Sequence, residues 1–176
     1  MIPIHLRLSG FLSYREPAEV DFTGFHLACI SGTNGAGKSS LLDAITWALF
    51  GQARKRDESL VNLASSEAKV AFTFAYEGNV YRVLRLLPRG KTGVLEFQVA
   101  ENAREDIPIN QQEITWRPLT EHTVRETQKR IEQILRLDYE TFINVSFFLQ
   151  GRADQFAQQS PTQRKEILGS ILGLDI

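Results

Sequence analysis

The sequence predicts an α/β fold in which a mixed or antiparallel β-sheet surrounds one central helix, with a helical annex at the C-terminal end. Apolar and polar residues alternate near the start of the chain and again over residues 69–100, which is the period of half-buried strands. Between them, "ISGTNGAGKSSLLDAITWALFG" at 30–51 passes from an apolar strand end through a glycine-rich turn into a helix. Residues 137–176 have a helical pattern in two pieces.

Composition and charge narrow the class of protein. The 176 residues, 43% hydrophobic and 23% charged, are typical of an ordinary soluble domain with one core and two lobes. A net charge of −1 argues against binding nucleic acid through bulk positive charge. Cys29 is the single cysteine, which excludes an internal disulfide and favours a reducing compartment. No secretory or membrane-spanning pattern is present, so we expect a cytoplasmic protein with no membrane contact.

Two strands and a third apolar run precede the glycine turn. Alternation over residues 4–11 predicts the first strand, and "AEVDF" at 18–22 is expected to pair with it. Next, "FHLACIS" at 25–31 is apolar on both faces, which predicts a strand covered on both sides.

A helix is predicted from Lys38 onward, where the period changes. Apolar residues recur at i, i+3, i+4, i+7 and i+8, and they predict one apolar stripe formed by Leu41, Ala44, Ile45, Ala48 and Leu49. Gly51 stands where the helix C-cap belongs.

The second half of the chain predicts an antiparallel meander followed by helices. After the charged loop "QARKRDES", residues 69–100 form strands broken by turns at "EGN" and "PRGKTG". A short strand is expected in "EITWRPL", and Thr123 with Glu126 forms a capping box that begins a helix running to about Leu137. Ser160 is expected to cap the second helical piece, with Pro161 at its first position.

The glycine turn carries the chemistry of a phosphate-binding loop. "GTNGAGKS" at 32–39 fits G-x-x-x-x-G-K-[ST] between a strand and a helix, where its glycines let backbone N–H groups point at phosphate oxygens. Lys38 would supply positive charge to the β- and γ-phosphates, Ser39 would help to coordinate Mg²⁺, and Ser40 would donate to the α-phosphate. A turn that merely caps the helix is the weaker interpretation. ATP or GTP binding is favoured.

The loop, "SSLLDAITWALFG" and "FFLQGRADQFAQQSPTQRKEIL" together resemble the N-terminal ATPase segment of SMC-like DNA-repair proteins, most closely the SbcC exonuclease subunit branch. The resemblance covers nearly the whole chain. It implies a P-loop NTPase fold of the ABC-type head, with ATP and Mg²⁺ as cofactors. One departure is Leu12, where some relatives have an arginine that touches the nucleotide.

The resemblance also implies roles for individual residues. Asn34 would face the γ-phosphate within the cradle that Gly35, Ala36 and Gly37 complete, and Gln150 would reach Mg²⁺ or the attacking water. A polar residue that merely ends an apolar helix is the alternative for Gln150. The loop "ARKRDESLVN" lies where the family has a loop near the base, so candidates for adenine or ribose contact are Leu60, Val61 and Asn62.

Two groups needed for hydrolysis are missing from the sequence. Four apolar residues followed by Asp-Glu, which would hold Mg²⁺ and polarise water, do not occur. Arg136 interrupts "LRLDYE", and "AEVDF" is too short and has Phe22 after its aspartate. A serine-glycine signature before a helix, which would contact a second ATP across a dimer, is also missing, because "LSGF" at 8–11 falls in the first predicted strand. The sequence therefore predicts half of an ATPase, inactive until a C-terminal lobe completes it.

The predicted organisation follows from that resemblance. Residues 1–155 are expected to form the N-terminal lobe, and residues 156–176 the helix that leads into a coiled coil of a longer protein. The expected partners are the C-terminal lobe, a second ATP-bound head in a homodimer, an SbcD-type nuclease and DNA. Local basic patches for DNA are "RLLPRGK" at 85–91 and "RKR" at 54–56, with a hydrated surface as the equal alternative.

Proteins with other functions have the same phosphate-binding loop. A condensin-like, RecF-like or RecN-like ATPase is one alternative, although "LDYETFINVSFFLQGRADQF" favours SbcC. The nucleotide-binding domain of an ABC transporter is another, and a nucleotide-binding regulator without hydrolysis is a third.

Overall fold

A computed structural model describes residues 1–24, 30–33, 35, 37–55, 57–103, 112–146, 160 and 162. The chain divides into two compact units, Met1–Ile134 and Leu135–Ile176. The expected boundary between residues 155 and 156 lies outside the described residues and stays a prediction. In the part that the structure describes, no helix is long and apolar enough to cross a membrane.

The first unit is built on a six-stranded antiparallel sheet in the order β2-β1-β3-β4-β5-β6. The strands are β1 (Ile2–Ser9), β2 (Ala18–Asp21), β3 (Glu67–Tyr76), β4 (Asn79–Pro88), β5 (Val94–Ala100) and β6 (Trp116–Pro118). The predicted pairing of the first two strands, the meander over residues 69–100 and the short strand within "EITWRPL" are confirmed. Turns at residues 77–78 and after Pro88 separate the meander strands, as the glycines there predicted.

One face of the sheet forms the core because register aligns its apolar residues in rows. Leu6 pairs with Phe72, Phe72 with Val83, and Val83 with Phe97, and each of these side chains is buried. Rings also stack along this face, with centroids 5.4 Å apart for Phe72 and Phe74. These rows exclude water across four strands, and the burial of their apolar surface stabilises the sheet.

Helix α1 (Lys38–Phe50) packs against β3 and β4 on the core face. Its predicted start and its C-cap are confirmed, since Gly51 has φ 68° and its N–H donates to Trp47 O at 2.8 Å. The single apolar stripe is corrected, because the helix is buried on nearly every side from Asp43 to Phe50. Asp43 and Thr46 are polar but buried, so apolar periodicity understates how much of this helix is covered.

A buried arginine joins the core face to α1. Arg85 lies in the row between Val70 and Leu95, and its guanidinium donates to Ala48 O near the end of α1 and to Gln128 Oε1. Burial lowers the pKa of Arg85 to about 10. The side chain thus satisfies a carbonyl in the last turn of α1, where no further helical N–H is available.

Two helices follow the sheet, α2 (Val124–Leu135) and α3 (Tyr139–Ser146). The capping box is confirmed: Glu126 N–H donates to Thr123 Oγ1 at 3.1 Å, and Thr123 N–H donates to Glu126 Oε2 at 3.0 Å. In the second unit, Thr141 N–H donates to Asp138 Oδ1 at the start of α3. The first C-terminal helical piece is therefore confirmed over residues 139–146, while the predicted helix after Pro161 lies outside the described residues.

The apolar run before the glycine turn differs from its prediction where it can be seen. Residues 25–29, including Cys29, lie outside the described residues. Ile30 and Ser31 are not in a strand, and Ile30 is 50% exposed. Among the described strands none pairs with Ile30, so the expected covered strand is not found at the last two residues of the run.

Candidate nucleotide-binding site

The phosphate-binding loop leads directly into α1. Gly32, Thr33 and Gly35 are exposed, whereas Gly37 is buried and forms the N-cap of the helix. Asn34 and Ala36 lie outside the described residues, so their predicted contacts with phosphate stay predictions. Among the described residues, none has an atom within 4 Å of a Cβ built on Gly35, which leaves that side of the loop open toward them.

Gly37 is fixed as glycine by two independent constraints. Its φ of 91° lies in the left-handed region that side chains rarely adopt. A Cβ at this position would also stand 3.1 Å from Tyr14 Cε2 and 3.3 Å from Ser13 Cβ. The turn at residues 11–14 therefore lies directly against the loop.

Lys38 places its ammonium across the mouth of the loop. Nζ donates to Gly32 O at 2.6 Å and to Thr33 O at 2.8 Å, and all of these groups are open to solvent. An anion that enters the loop can therefore reach a full positive charge without rearrangement of the core. This placement fits the predicted role of Lys38 at the β- and γ-phosphates.

The start of α1 has no competing negative charge. Its first turn contains no acidic residue, and Gly37 has no side chain with which to cap the helix. The partial positive charge of the helix N-terminus is thus available to an anion beside the Lys38 ammonium. A triphosphate fits this arrangement of charges.

The two serines of the loop lie in different surroundings. Ser39 is partly exposed in the first turn, where its hydroxyl could join the ligands of a cation bound to phosphate. Ser40 is buried, and its Oγ lies 3.3 Å from Ser13 Oγ. Its predicted donation to the α-phosphate stays a prediction, since the hydroxyl contacts Ser13 in this structure.

The three residues expected near the nucleotide base make contacts within the fold. The side chains of Leu60 and Val61 are 3% and 2% exposed, so neither presents its surface to a nucleotide. Asn62 Nδ2 donates to Leu12 O at 2.6 Å, and Asn62 N–H donates to Gly10 O at 2.7 Å. The contact of these three residues with adenine or ribose stays a prediction that their placement does not support.

Several cations of the predicted basic patches have partners inside the fold, so their placement does not add support for a DNA contact, which stays a prediction. Arg85 is buried, and Arg89 donates to the backbone carbonyls of Val61, Asn62 and Ser65. Arg54 pairs with Asp43. Lys55 and Lys91 are exposed, and Arg56 lies outside the described residues. The alternation of Arg and Lys in the sequence does not reveal which cations already have partners.

Asp43 and Arg54 form a link that the sequence did not predict. Arg54 Nε and Nη2 lie 2.8 and 2.6 Å from Asp43 Oδ2, and Arg54 N–H donates to Oδ1. The hydrogen bond to Asp43 raises the pKa of Arg54. The one available signal was a carboxylate within an otherwise apolar helix, which commonly indicates a buried pair.

A double-mutant cycle on Asp43→Ala and Arg54→Ala measures this link. Because the Asp43 carboxylate is buried and the Arg54 side chain is 51% exposed, we expect a coupling of about 2 kcal/mol in the free energy of urea unfolding. The matched control is Arg7 and Glu19, which pair at 2.5 Å with both side chains more than half exposed. A coupling for Asp43 and Arg54 no larger than that of the control contradicts the assignment.

Gln150, predicted to reach Mg²⁺ or the attacking water, lies outside the described residues. Within the described ranges, no group of three or more His, Cys, Asp or Glu side chains could hold a metal ion. The groups that the structure does bring together are Lys38, Ser39 and the exposed loop glycines. Sequence reasoning missed Ser13 and Tyr14, which contact the loop from 23 or more residues away and leave no local signal.

A glycine loop before a helix, with its lysine at the loop mouth, defines a nucleotide-binding domain of the phosphate-loop class. The chain belongs to the AAA domain family, whose pattern it matches over residues 5–173. The predicted membership in this class is thereby confirmed.

Curated relatives cover the whole chain. It is 33% identical to the SbcC component of the SbcCD nuclease of Deinococcus radiodurans over 99% of its length, which is 19% of the relative. It is also 33% identical to a probable DNA double-strand break repair Rad50 ATPase of Aquifex aeolicus, over 99% of this chain and 17% of that one. The SMC head domain from Thermotoga maritima matches 90% of this chain and 52% of its own, at 22% identity and a TM-score of 0.48. The chain thus spans less than a fifth of the length of these two curated relatives.

Proposed function

We propose that the chain is the ATP-binding half of an SbcC-type, SMC-like ATPase, which binds and hydrolyses ATP together with a C-terminal half. The observation that carries the proposal is the Lys38 ammonium, held at 2.6 and 2.8 Å by two exposed loop carbonyls at a helix start without acidic residues. Whole-chain similarity to SbcC and Rad50 proteins supports the same choice among phosphate-loop ATPases.

The described residues divide the work of binding. Lys38 neutralises charge on the β- and γ-phosphates, and the first turn of α1 adds its partial charge from the same side. Ser39 would contribute an oxygen to Mg²⁺, and the bound cation would stabilise the negative charge that develops on the phosphates when ADP leaves. Asn34 at the γ-phosphate and Gln150 at Mg²⁺ or water complete the proposal from the family resemblance.

The proposed partners follow from the names of the relatives. Relatives from Deinococcus radiodurans, Bacillus subtilis and Clostridium acetobutylicum are named as components of the SbcCD nuclease, and the Rad50 relatives are named for DNA double-strand break repair. We infer that ATP-bound heads pair as a homodimer and control the access of an SbcD-type nuclease to DNA ends. ATP binding at the dimer interface is the switch.

Reconstitution of the head tests the proposal. The chain is joined to the C-terminal lobe of the same reading frame, and Mg-ATP uptake is measured by calorimetry, with phosphate release measured in parallel. We expect uptake and turnover by the joined protein, and no turnover by the 176-residue chain, in which no Asp-Glu pair follows four apolar residues. Turnover by the isolated chain contradicts the split head. Absence of uptake by the joined protein overturns ATP binding itself.

A further inference from the structure

The turn at residues 11–14 is an unusually constrained piece of the backbone. Phe11 N–H donates to Tyr14 O at 2.9 Å and Tyr14 N–H donates to Phe11 O at 2.8 Å, which closes the turn from both sides. Leu12 within it has φ 48°, a left-handed conformation that is costly for a leucine. Such a conformation persists only where the surroundings determine it.

The loop at residues 60–62 supplies that constraint. Leu12 N–H donates to Leu60 O at 2.8 Å, and Asn62 Nδ2 donates to Leu12 O at 2.6 Å. Both polar groups of the strained residue are therefore bonded to one neighbouring segment. Phe11 is fully buried, and its ring lies 5.3 Å from that of Trp47 in α1. The turn is thus held on one side by hydrogen bonds to residues 60–62 and on the other by the packing of Phe11 in the core.

The free side of the turn faces the phosphate-binding loop. Atoms of Tyr14 and Ser13 fill the space where a Cβ of Gly37 would stand, at 3.1 to 3.4 Å. Ser13 Oγ lies 3.3 Å from Ser40 Oγ in the first turn of α1. Two adjacent residues of the turn thus contact the loop on either side of Lys38 and Ser39.

We propose that the turn at residues 11–14 positions the phosphate-binding loop, with Tyr14 and Ser13 as positioning residues that act on ATP through Gly37 and Ser40. This inference rests on the proposed ATP binding. The Tyr14 ring limits how far the backbone at Gly37 can move, so the N–H groups around Lys38 keep one orientation before ATP arrives. Asn62 contributes to the same positioning, since its side-chain amide donates to Leu12 O and so fixes the turn beside the phosphate-binding loop.

The test compares Tyr14→Ala with Tyr14→Phe in the full-length protein. Because misplacement of a binding group by about 1 Å can cost about 100-fold, we expect a rise of about tenfold in the KM for ATP for Tyr14→Ala. The kcat at saturating ATP stays within about threefold, as expected when binding rather than the chemical step is affected. Tyr14→Phe retains the ring atoms Cε2 and Cζ that reach Gly37, so its KM stays within about twofold of the wild-type value.

Thr123→Ala is the control for simple destabilisation, because it removes the cap of α2, and the hydrogen bonds described for the Thr123 hydroxyl are to Glu126. Its KM for ATP is expected to remain unchanged. If Tyr14→Ala does not fold, Tyr14→Leu decides the question, since leucine keeps apolar bulk but lacks the ring edge. An unchanged KM in the folded variant, or a loss of kcat with KM unchanged, overturns the inference. Absence of ATP binding by the wild-type protein overturns the proposed function instead.

Discussion

Lys38→Ala is expected to lower the ATPase rate of the full-length protein by about 100- to 1000-fold, the range seen when one preorganised charge-stabilising donor is removed. The ammonium is the one full positive charge that the described part of the loop presents, and it already stands at the loop mouth. Folding should be unaffected, because its two hydrogen bonds go to exposed carbonyls that water can serve instead. The measurement is steady-state phosphate release with thermal unfolding recorded in parallel.

Two further variants make this result specific. Lys38→Arg keeps the charge but replaces a compact ammonium by a planar guanidinium. We still expect a large loss of ATPase rate, because the position of the charge is changed. Lys91→Ala removes an exposed lysine from the turn between β4 and β5, and its rate should match that of the wild-type protein. A Lys38→Ala rate within about threefold of the wild-type rate contradicts the assigned role.

Much of the first unit was predictable because its signals are local. Alternation with a glycine turn at "EGN" is enough to predict β3 and β4, and Thr123 with Glu126 is enough to place the start of α2. The phosphate-binding loop is equally local, since its glycines, lysine and serine follow one another within eight positions. Such features depend on few contacts from distant parts of the chain.

What sequence reasoning missed depends on contacts between distant residues. Arg85 looks like a surface cation in "RLLPRGK", yet its row in the sheet turns it toward Ala48 O in α1. Asn62 looks like a loop residue near a base, yet its amide bonds to Leu12, 50 positions away. In each case hydrogen bonding to a buried carbonyl decides the role, and residue type alone does not show that partner.

The same reasoning explains why the sequence predicted the start and end of α1 but not the extent of its burial. A central helix that lies on the core face and is covered by neighbouring loops needs no polar side, so its polar residues must be satisfied internally. Asp43 does this through Arg54, and Thr46 through Asp43 O. Where a polar residue interrupts an apolar helix, a partner from an adjacent loop is the better expectation than exposure to solvent.

Phe72→Ala is expected to have the largest effect on stability, lowering the free energy of unfolding by about 3–5 kcal/mol. Phe72 is fully buried between Leu6 and Val83 in the register of the sheet, and its ring stacks on Phe74. Its neighbours are fixed by strand pairing on both sides, so they cannot collapse into the cavity. Urea unfolding followed by circular dichroism gives the difference directly.

The size of this loss decides whether the aromatic row or the Asp43–Arg54 link contributes more to the stability of the first unit. Total stability of a domain is about 5–15 kcal/mol, so a loss of about 4 kcal/mol removes a large share of it. Leu63→Ala is the control, because Leu63 is 97% exposed and its truncation should change stability by less than about 0.5 kcal/mol. If Phe72→Ala lowers the free energy of unfolding by less than the coupling of about 2 kcal/mol expected for Asp43 and Arg54, the polar link stabilises the first unit more than the aromatic row does.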